Sequence, residues 1–512
     1  MNENLFNRLG FTTDPFAYTN ADEEENINEY FIKPPYFDSV IGDYNSPNTC
    51  VVLAPRGAGK TAQRRMIEIW TRNNPVLAVT YDRFEFSAGQ KLNSINLAYH
   101  LRNIITKVLL NLLIRATEYP EILSNVPKEK KRQLSVLCHN YLGNLTGQNV
   151  SEVISDLKSI PQKIKEYWNK NVGFLEPIIN FILRRYDLDT IDLPNLKQEE
   201  KKLEGTYKYQ LELLFEIAQE LGFRAIYILV DKVDETELTG NNADNTYKLI
   251  EPLLRDLDIL SLRGYGFKFF LWDKIYPYYV ESARPDRIPQ FELNWNRSQL
   301  EKLLSERLKA FSKTKIQKFA DTFTEANSPS IDSIVCMIAF LSPRNVIRFC
   351  NEIIAQQSLI NADTTKLEMR ALELASTIFS QKIATELYGI DMYKDIIKVD
   401  KELFSINYLS NNIFKSSHIN TSRNKVTEWS KAGAIKEIGI EKTTDSKRPI
   451  NLYYLVDPRL NRIVSSKKSL LEFIRDKWSL CPDCSSDILI DLANIPKTSE
   501  ITCWKCERPI FT

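Results

Sequence analysis

The segment APRGAGKT at residues 54–61 has the residue types and spacing of a phosphate-binding loop. Such a loop curls its backbone around phosphate oxygens with the N–H groups inward, which requires small residues where the chain comes close. Lys60 is expected to reach the outer phosphates and Thr61 to hold magnesium through its hydroxyl. Ala54 stands where the usual pattern has glycine, before the tight part of the loop, so we expect a mild effect. The residues expected to contact the nucleotide are Pro55, Arg56, Gly57, Ala58, Gly59, Lys60, Thr61 and Ala62.

An acidic partner for this loop occurs in the segment IYILVDKVDE at residues 226–235. Asp231 ends the apolar run and is expected to bind the magnesium ion through its water shell. Either Glu235 or Asp234 is expected to polarise the attacking water. The alternatives are that the GKT sequence occurs by chance and that the acids merely end a strand at the surface. Each alternative is weakened because the two motifs occur together.

Four of the eight cysteines lie in two C-x-x-C pairs near the end of the chain, CPDC and CWKC, with 18 residues between the pairs. This spacing fits a zinc ribbon in which each pair supplies two thiolates, and metal would provide folding free energy to a tail with little core of its own. Four thiolates leave no open coordination position, which predicts a structural or partner-binding ribbon. A disulfide pair or a redox motif is the alternative. The predicted zinc ligands are Cys481, Cys484, Cys503 and Cys506.

Five apolar runs are expected to position these residues as buried strands. Helices are predicted at about 60–71 and 244–261, so strands and helices alternate along the chain. This alternation predicts an α/β fold with a parallel sheet, helices on both faces, and the ligand at the carboxyl ends of the strands. The runs are TCVVLA (49–54), VLAVTYDRF (76–84), RAIYILVDKVDE (224–235), GFKFFLW (266–272) and QFELNW (290–295).

A chain of 512 residues is too long for one hydrophobic core, and its residue pattern changes several times. The predicted divisions are an N-terminal arm at 1–48, a P-loop domain at 49–297 with a large helical insertion at about 93–222, an all-α lid at 298–390, a winged helix at 391–466 and a zinc ribbon at 467–512.

Composition is typical of a soluble globular protein, with 43% hydrophobic and 26% charged residues and a net charge of +1. Bulk charge therefore predicts no nucleic-acid partner, although a local basic face stays open. The chain shows neither a signal-peptide pattern nor an apolar run of about 18 residues, so we expect a cytoplasmic protein with no membrane partner. None of the histidines His100, His139 and His418 falls in a catalytic pattern, which disfavours a fused nuclease or protease.

Together, the segments APRGAGKT, ILVDKVDE, FFLWD and LSPRNVIRFCNEI resemble the AAA+ and STAND group of ATPases, nearest its origin-recognition-like branch. The resemblance covers residues 14–90 and 206–360. It implies that ATP and magnesium are the ligands and that a winged helix follows the lid.

The resemblance also implies roles for residues outside these two motifs. Asp273 matches a polar residue that senses the γ-phosphate, although the family usually has asparagine, threonine or serine there. Arg344 matches a lid arginine that reaches back to the nucleotide, and solvation of a helix N-terminus is the alternative. Arg284 and Arg287 lie where oligomeric members carry an arginine that completes the neighbouring subunit's site, and a plain charged loop is the alternative.

A basic helix with Arg423, Lys425 and Lys431 precedes a predicted hairpin with basic residues at its tip, which is the order of a winged helix. Such a module places the helix and the hairpin tip against double-stranded DNA. In STAND proteins the same module often packs against the ATPase as an internal lever. The basic residues of the tip are Lys442, Lys447 and Arg448.

The sequence therefore predicts an ATPase that acts as a molecular switch and couples its nucleotide state to DNA or to partner proteins, with a homo-oligomer expected. The alternative is a STAND-like sensor that holds nucleotide as a structural lock without turnover. A zinc-ribbon adaptor with a degenerate ATPase is a third hypothesis. The resemblance implies that such proteins often belong to prokaryotic mobile elements or phage-defence systems.

Overall fold

The apolar runs predicted as buried strands pair into one parallel sheet in the computed structural model of this chain. Its strand order is β2-β3-β4-β1-β5, and every pairing is parallel. β4 therefore lies between the strand that leads into the phosphate loop and the strand that leads into Asp231. The strands are β1 (Cys50–Ala54), β2 (Val76–Tyr81), β3 (Ala225–Val230), β4 (Tyr265–Trp272) and β5 (Gln290–Glu292).

The structure describes residues 5–118, 127–142, 206–325, 330–415, 418–442, 449–496 and 498–511. Much of the predicted helical insertion, and with it the part at 143–205, lies outside these residues. The described chain divides into two compact units, residues 33–294 and residues 1–32 together with 295–512.

Helices make up most of the remaining regular structure. In chain order they are α1 (Leu5–Leu9), α2 (Ile27–Tyr30), α3 (Phe37–Ile41), α4 (Lys60–Thr71), α5 (Leu97–Glu118), α6 (Lys128–Leu142), α7 (Tyr207–Glu220), α8 (Ala243–Leu254), α9 (Leu257–Leu260), α10 (Tyr276–Ser282), α11 (Arg297–Ser312), α12 (Ile331–Ala339), α13 (Pro343–Ile360), α14 (Met369–Ile396), α15 (Ile406–Tyr408), α16 (Ile419–Lys431), α17 (Pro458–Val464) and α18 (Leu470–Lys477).

Both faces of the parallel sheet are covered, which confirms the predicted α/β fold with helices on both sides. Side chains that alternate along a strand point to opposite faces. On one face, Ile228 and Phe267 belong to a large apolar cluster that also contains residues of α5, α7 and α8. On the other face, Tyr227 stacks on Trp70 of α4 with ring centroids 6.2 Å apart and donates a hydrogen bond to the carbonyl oxygen of Ile41.

α5 is the one helix of the described chain that is long and apolar enough to cross a membrane by length and composition. Its apolar window is Leu97–Arg115, and 67% of that window is buried inside the protein. Residues such as Ile104 and Val108 are fully buried in the cluster against the sheet. The apolar character of α5 is therefore explained by packing in a protein core.

The second unit begins with residues from the N-terminus of the chain. The guanidinium of Arg307 on α11 is buried and bonds to the Glu24 carboxylate. Its central carbon lies 4.8 Å from the centroid of the Tyr30 ring. The backbone N–H of Thr12 donates to the carbonyl oxygen of Phe311 at 2.8 Å. The predicted N-terminal arm is thus shared, because residues up to 32 belong to this unit and the residues after 32 belong to the unit of the parallel sheet.

The predicted winged helix and zinc ribbon share a second sheet. This sheet is antiparallel, with the order β12-β11-β7-β8-β6, and a separate hairpin joins β9 to β10. Ribbon strand β11 pairs with β7 of the winged helix from Ser499 opposite Glu441 to Ile501 opposite Gly439. The strands are β6 (Leu403–Phe404), β7 (Ile435–Glu441), β8 (Ile450–Leu455), β9 (Trp478–Leu480), β10 (Asp487–Leu489), β11 (Ser499–Thr502) and β12 (Pro509–Phe511).

The two modules also share a hydrophobic core. Leu452 and Tyr454 of the winged-helix strands belong to the same buried cluster as Ile488, Ile501 and Cys503 of the ribbon. A small ribbon has too little apolar surface to fold on its own, so the sheet and the core that it shares with the winged helix supply the missing contacts.

We predict that Gly439→Ala disrupts the pairing of β7 with β11. A Cβ atom at this position would lie 2.1 Å from the Glu500 carbonyl oxygen, so the strands must move apart. Amide hydrogen exchange across β11 should then become faster by about tenfold or more, which corresponds to a local loss of about 1.4 kcal/mol. Asn451→Ala, at an exposed position of β8, is the matched control and should leave the exchange of β11 unchanged. Wild-type exchange in Gly439→Ala would contradict the described register.

Candidate functional site

The phosphate loop connects β1 to α4 at the carboxyl edge of the parallel sheet. Gly57 and Gly59 have φ angles of 75° and 102°, in the left-handed region that favours glycine. Ala54 is the last residue of β1 and pairs in regular register with Trp272, so its position does not require glycine. The expected mild effect of alanine there is consistent with this geometry.

Lys60 begins α4 and is folded onto its own loop. Its Nζ donates hydrogen bonds to the carbonyl oxygens of Ala54 at 3.0 Å and Pro55 at 3.1 Å. Burial lowers the pKa of Lys60, while the nearby carboxylates of Asp234, Asp231 and Asp273 act in the opposite direction. The ammonium group is therefore bonded to neutral carbonyl oxygens and lies near three carboxylates. A phosphate anion would bind it more strongly than these carbonyl oxygens do.

The two residues that the sequence assigned to magnesium are in direct contact. The Thr61 hydroxyl donates to Asp231 Oδ2 at 2.9 Å, and the backbone N–H of Lys232 donates to Asp231 Oδ1 at 2.9 Å. Asp231 is 1% exposed and directly follows β3. A hydroxyl and a carboxylate are hard oxygen donors of the kind that magnesium prefers, so this pair fits the ion.

The two candidates for water activation differ in their surroundings. Asp234 is buried, and Arg56 of the phosphate loop donates to its Oδ2 at 2.7 Å and to its carbonyl oxygen at 2.9 Å. Glu235 is exposed at the end of the short 3-10 turn Val233–Glu235. In this arrangement Asp234 holds the loop arginine, and Glu235 is the carboxylate that faces solvent.

Arg56 has two further partners that sequence reasoning missed. It donates to Asn241 Oδ1 at 2.6 Å, and its guanidinium lies 4.3 Å from the ring centroid of Trp272 at the end of β4. Lys232 and Asn241, at either end of the segment that Arg56 contacts, have φ angles of 58° and 61°. Left-handed backbone at residues other than glycine carries strain that the surrounding contacts must offset.

Asp273 follows β4 and therefore lies between the phosphate loop and Asp231 in the order of the strand ends. Its Oδ1 is buried and has no hydrogen-bond partner among the described residues. Burial raises the pKa of Asp273, and the charge of Lys60 opposes this effect. A buried polar atom of this kind marks a place where a ligand could complete the site. Asp273 therefore lies at the end of a central strand of the sheet, and its sensing role stays a prediction.

The predicted arginines belong to different units of the chain. Arg287 is 65% exposed on the segment between α10 and β5, 3.8 Å from Asp286, and Arg284 pairs with the same carboxylate at 3.1 Å. Arg344 is exposed in the first turn of α13, which belongs to the other unit. The roles in trans and in the lid stay predictions.

A buried ion network behind Asp231 was also missed. Arg64 and Glu68 on α4 are both fully buried, and the Arg64 guanidinium contacts Glu68 and Asp231. The i, i+4 spacing was visible in the sequence, but the polar run QRR is typical of a solvated helix face.

The four predicted zinc ligands come together in the second unit. Their Sγ atoms all lie within 4.8 Å of one another, with 3.6 Å between Cys481 and Cys506 and 3.7 Å between Cys484 and Cys503. Four sulfurs around a zinc ion with bonds of about 2.3 Å are about 3.8 Å apart, so the cluster fits a tetrahedral thiolate site. These separations exceed a disulfide bond of about 2.05 Å, and the cysteines are unpaired.

The basic residues of the winged helix are partly used inside their own unit. Lys425 on α16 forms an ion pair with Asp395, and Lys442 after β7 forms one with Glu500 of the ribbon. Arg423 and Lys431 are exposed on α16. Lys447 and Arg448 lie outside the described residues. Fewer charges are therefore available for DNA than the sequence suggested, and DNA contact stays a prediction.

Comparisons with known proteins add little to this site. No protein-family description matches the chain, and no curated protein sequence matches it. One similar solved structure is that of the Aeropyrum pernix ORC1 protein in complex with DNA, at 8% identity and a TM-score of 0.33, covering 88% of this chain and 96% of the other. A likeness at this level carries no functional conclusion.

We predict one zinc ion per chain, bound by the four cysteines. Replacing Cys481 and Cys484 with serine should remove the zinc and accelerate amide exchange in β9 to β12, because the metal supplies folding free energy there. Nucleotide should stay bound, since the phosphate loop belongs to the other unit with its own core. Cys336→Ala removes a buried thiol elsewhere in the same unit and should keep the zinc. Elemental analysis that finds no zinc in protein purified without chelator would refute the site.

Proposed function

We propose that this chain binds ATP with magnesium, hydrolyses it, and uses the nucleotide state as a conformational switch. The observation that carries the proposal is the contact between Thr61, in α4 after the phosphate loop, and Asp231, at the end of β3. The contact joins the two halves that phosphate-loop chemistry requires, the loop and its distant acid. The proposal agrees with the resemblance of the motifs to the AAA+ and STAND group.

Each part of the site would have its own role in binding or hydrolysis. The loop N–H groups and the N-terminus of α4 bind the phosphates, and Lys60 exchanges two backbone carbonyls for phosphate oxygens. Thr61 and Asp231 would hold magnesium, which when bound neutralises charge that develops on the phosphates. Glu235 orients and polarises the attacking water, because it is the exposed one of the two candidate acids.

Arg56 would make the site responsive to its ligand. Its guanidinium joins the phosphate loop to Asp234, Asn241 and Trp272, which lie at or beyond the ends of β3 and β4. A triphosphate in the loop competes with Asp234 for this cation. Release of Asp234 would free the segment from Lys232 to Asn241, so the strained backbone at its two ends could relax.

The same contact supports the alternative of a nucleotide-holding sensor. If the ion pair between Arg56 and Asp234 persists with ATP bound, the segment that carries Glu235 stays fixed to the phosphate loop and turnover is slow. The protein would then hold nucleotide as a lock until a partner opens it.

The family resemblance extends the proposal to DNA, to partner proteins and to a place in a phage-defence or mobile-element system. Stimulation of hydrolysis by duplex DNA is the measurement that tests the DNA partner.

We predict opposite effects of two substitutions on binding and turnover. Lys60→Ala should weaken ATP binding by about tenfold or more, because it removes the cation at the outer phosphates. Glu235→Gln should keep ATP bound and slow hydrolysis by about a hundredfold, because the metal ligands remain and the water-polarising carboxylate is lost. Equilibrium binding of a fluorescent ATP analogue and steady-state phosphate release measure the two effects.

Glu237→Gln is the matched control, since Glu237 is an exposed carboxylate two residues further along, and it should behave as wild type. Wild-type turnover in Glu235→Gln would move the role to Asp234. Nucleotide that is retained by the wild-type protein without any turnover would favour the sensor.

We predict that Arg287 acts on the ATP of a neighbouring subunit. Hydrolysis per chain should then rise with protein concentration, and Arg287→Ala should be inactive alone. A mixture of Arg287→Ala and Lys60→Ala chains should regain part of the activity, because each variant supplies the part that the other lacks. Arg255→Ala, at another largely exposed arginine of the same unit, should retain activity. If mixed oligomers form and no activity is regained, Arg287 has no role in the neighbouring site and belongs to a plain charged loop.

A further inference from the structure

We propose that Arg64 is a positioning residue for Asp231 and thereby sets the affinity of the site for magnesium. The inference rests on the proposed function, since it concerns the same ion. Arg64 lies on α4 three residues after Thr61, so both side chains leave the helix on the side that faces the end of β3. Its side chain is fully buried, and nothing in the phosphate-loop pattern requires an arginine there.

Arg64 fixes one oxygen of the Asp231 carboxylate together with Thr61. Its Nε donates to Asp231 Oδ2 at 3.0 Å, and the Thr61 hydroxyl donates to the same oxygen at 2.9 Å. The other oxygen, Oδ1, accepts from the backbone N–H of Lys232 at 2.9 Å. A carboxylate has about four acceptor positions, so three donors fix its orientation and leave room for one more contact.

A second carboxylate holds Arg64 from the opposite side. Arg64 also donates to Glu68, which accepts from Arg65 at 2.8 Å and from the hydroxyl of Thr80 on β2 at 2.5 Å. Glu68 is fully buried and Thr80 is 2% exposed. The Arg64 guanidinium therefore lies between Glu68 and Asp231 and is fixed by both, away from solvent.

The chemistry of arginine explains why this position affects the metal. A guanidinium is planar and permanently charged, so it donates in two directions at once and keeps an uncompensated negative charge from remaining on Asp231 and Glu68. A lysine would supply the charge on a flexible stem but could not maintain both contacts. Groups that orient a metal ligand in this way typically change metal affinity by about 10- to 100-fold when removed.

Magnesium dependence separates this role from general stability. In Arg64→Met, the magnesium concentration for half-maximal binding of a fluorescent ATP analogue should rise about tenfold or more. Binding of the same analogue in EDTA should stay within about twofold of wild type, because the loop and Lys60 are intact. Arg64→Lys should restore part of the stability and little of the magnesium affinity.

Two further variants keep the inference falsifiable if Arg64→Met folds poorly. Arg65→Met is the matched control, because Arg65 is the neighbouring arginine and also contacts Glu68, and it should keep wild-type magnesium dependence. The double variant Arg64→Met with Glu68→Met removes the second buried charge, so it should regain thermal stability and retain the magnesium defect.

The outcomes distinguish this inference from the proposed function. Wild-type magnesium dependence in folded Arg64→Met, or a defect that disappears in the double variant together with the loss of stability, would overturn the positioning role. Absence of ATP binding in the wild-type protein, with or without magnesium, would instead overturn the proposed function on which it rests.

Discussion

The carboxyl edge of the parallel sheet collects more charge than a protein interior normally tolerates, and the site depends on how that charge is paired. β1, β4 and β3 lie side by side, so the phosphate loop, Asp273 and Asp231 emerge at one edge. Unpaired charges out of water are costly. The three basic side chains have different partners, with Lys60 on backbone carbonyls, Arg56 on Asp234 and Arg64 on Asp231. Asp273 Oδ1 has no hydrogen-bond partner within the described part of the chain.

These three pairs differ in how readily they can change. Arg64 is completely buried, and its two carboxylate partners are almost as inaccessible. Arg56 keeps a third of its side chain exposed, and Lys60 holds neutral acceptors that a phosphate would outcompete. The site thus has a fixed side, formed by α4 against β3, and a side that a ligand can rearrange. A nucleotide switch needs both, because the part that moves must move relative to a part that stays fixed.

The sequence was sufficient to predict the sheet and the proximity of the motif residues to one another, because long apolar runs and fixed motif spacings are local signals. β1, α4 and β4 begin and end within one residue of the predicted limits, and the four cysteines of the ribbon come together. The strand predicted at 224–235 was too long, because β3 ends at Val230 and a 3-10 turn follows at Val233–Glu235. Interactions between distant parts of the chain were not predictable. The buried position of Arg64 was not predicted, because its partner Asp231 lies 167 residues later in the chain. Asp234 looked available because its arginine partner lies 178 residues earlier.

The pairing of ribbon strand β11 with β7 has a consequence for solubility. With the ribbon in place, the outer strands of the antiparallel sheet are β12, of three residues with a proline, and β6, of two residues. Short outer strands and proline offer few backbone groups to another chain. Without the ribbon, the outer strand would be β7, whose seven residues IKEIGIE include three isoleucines. A tail that cannot fold would therefore leave a long strand edge open to pairing between molecules.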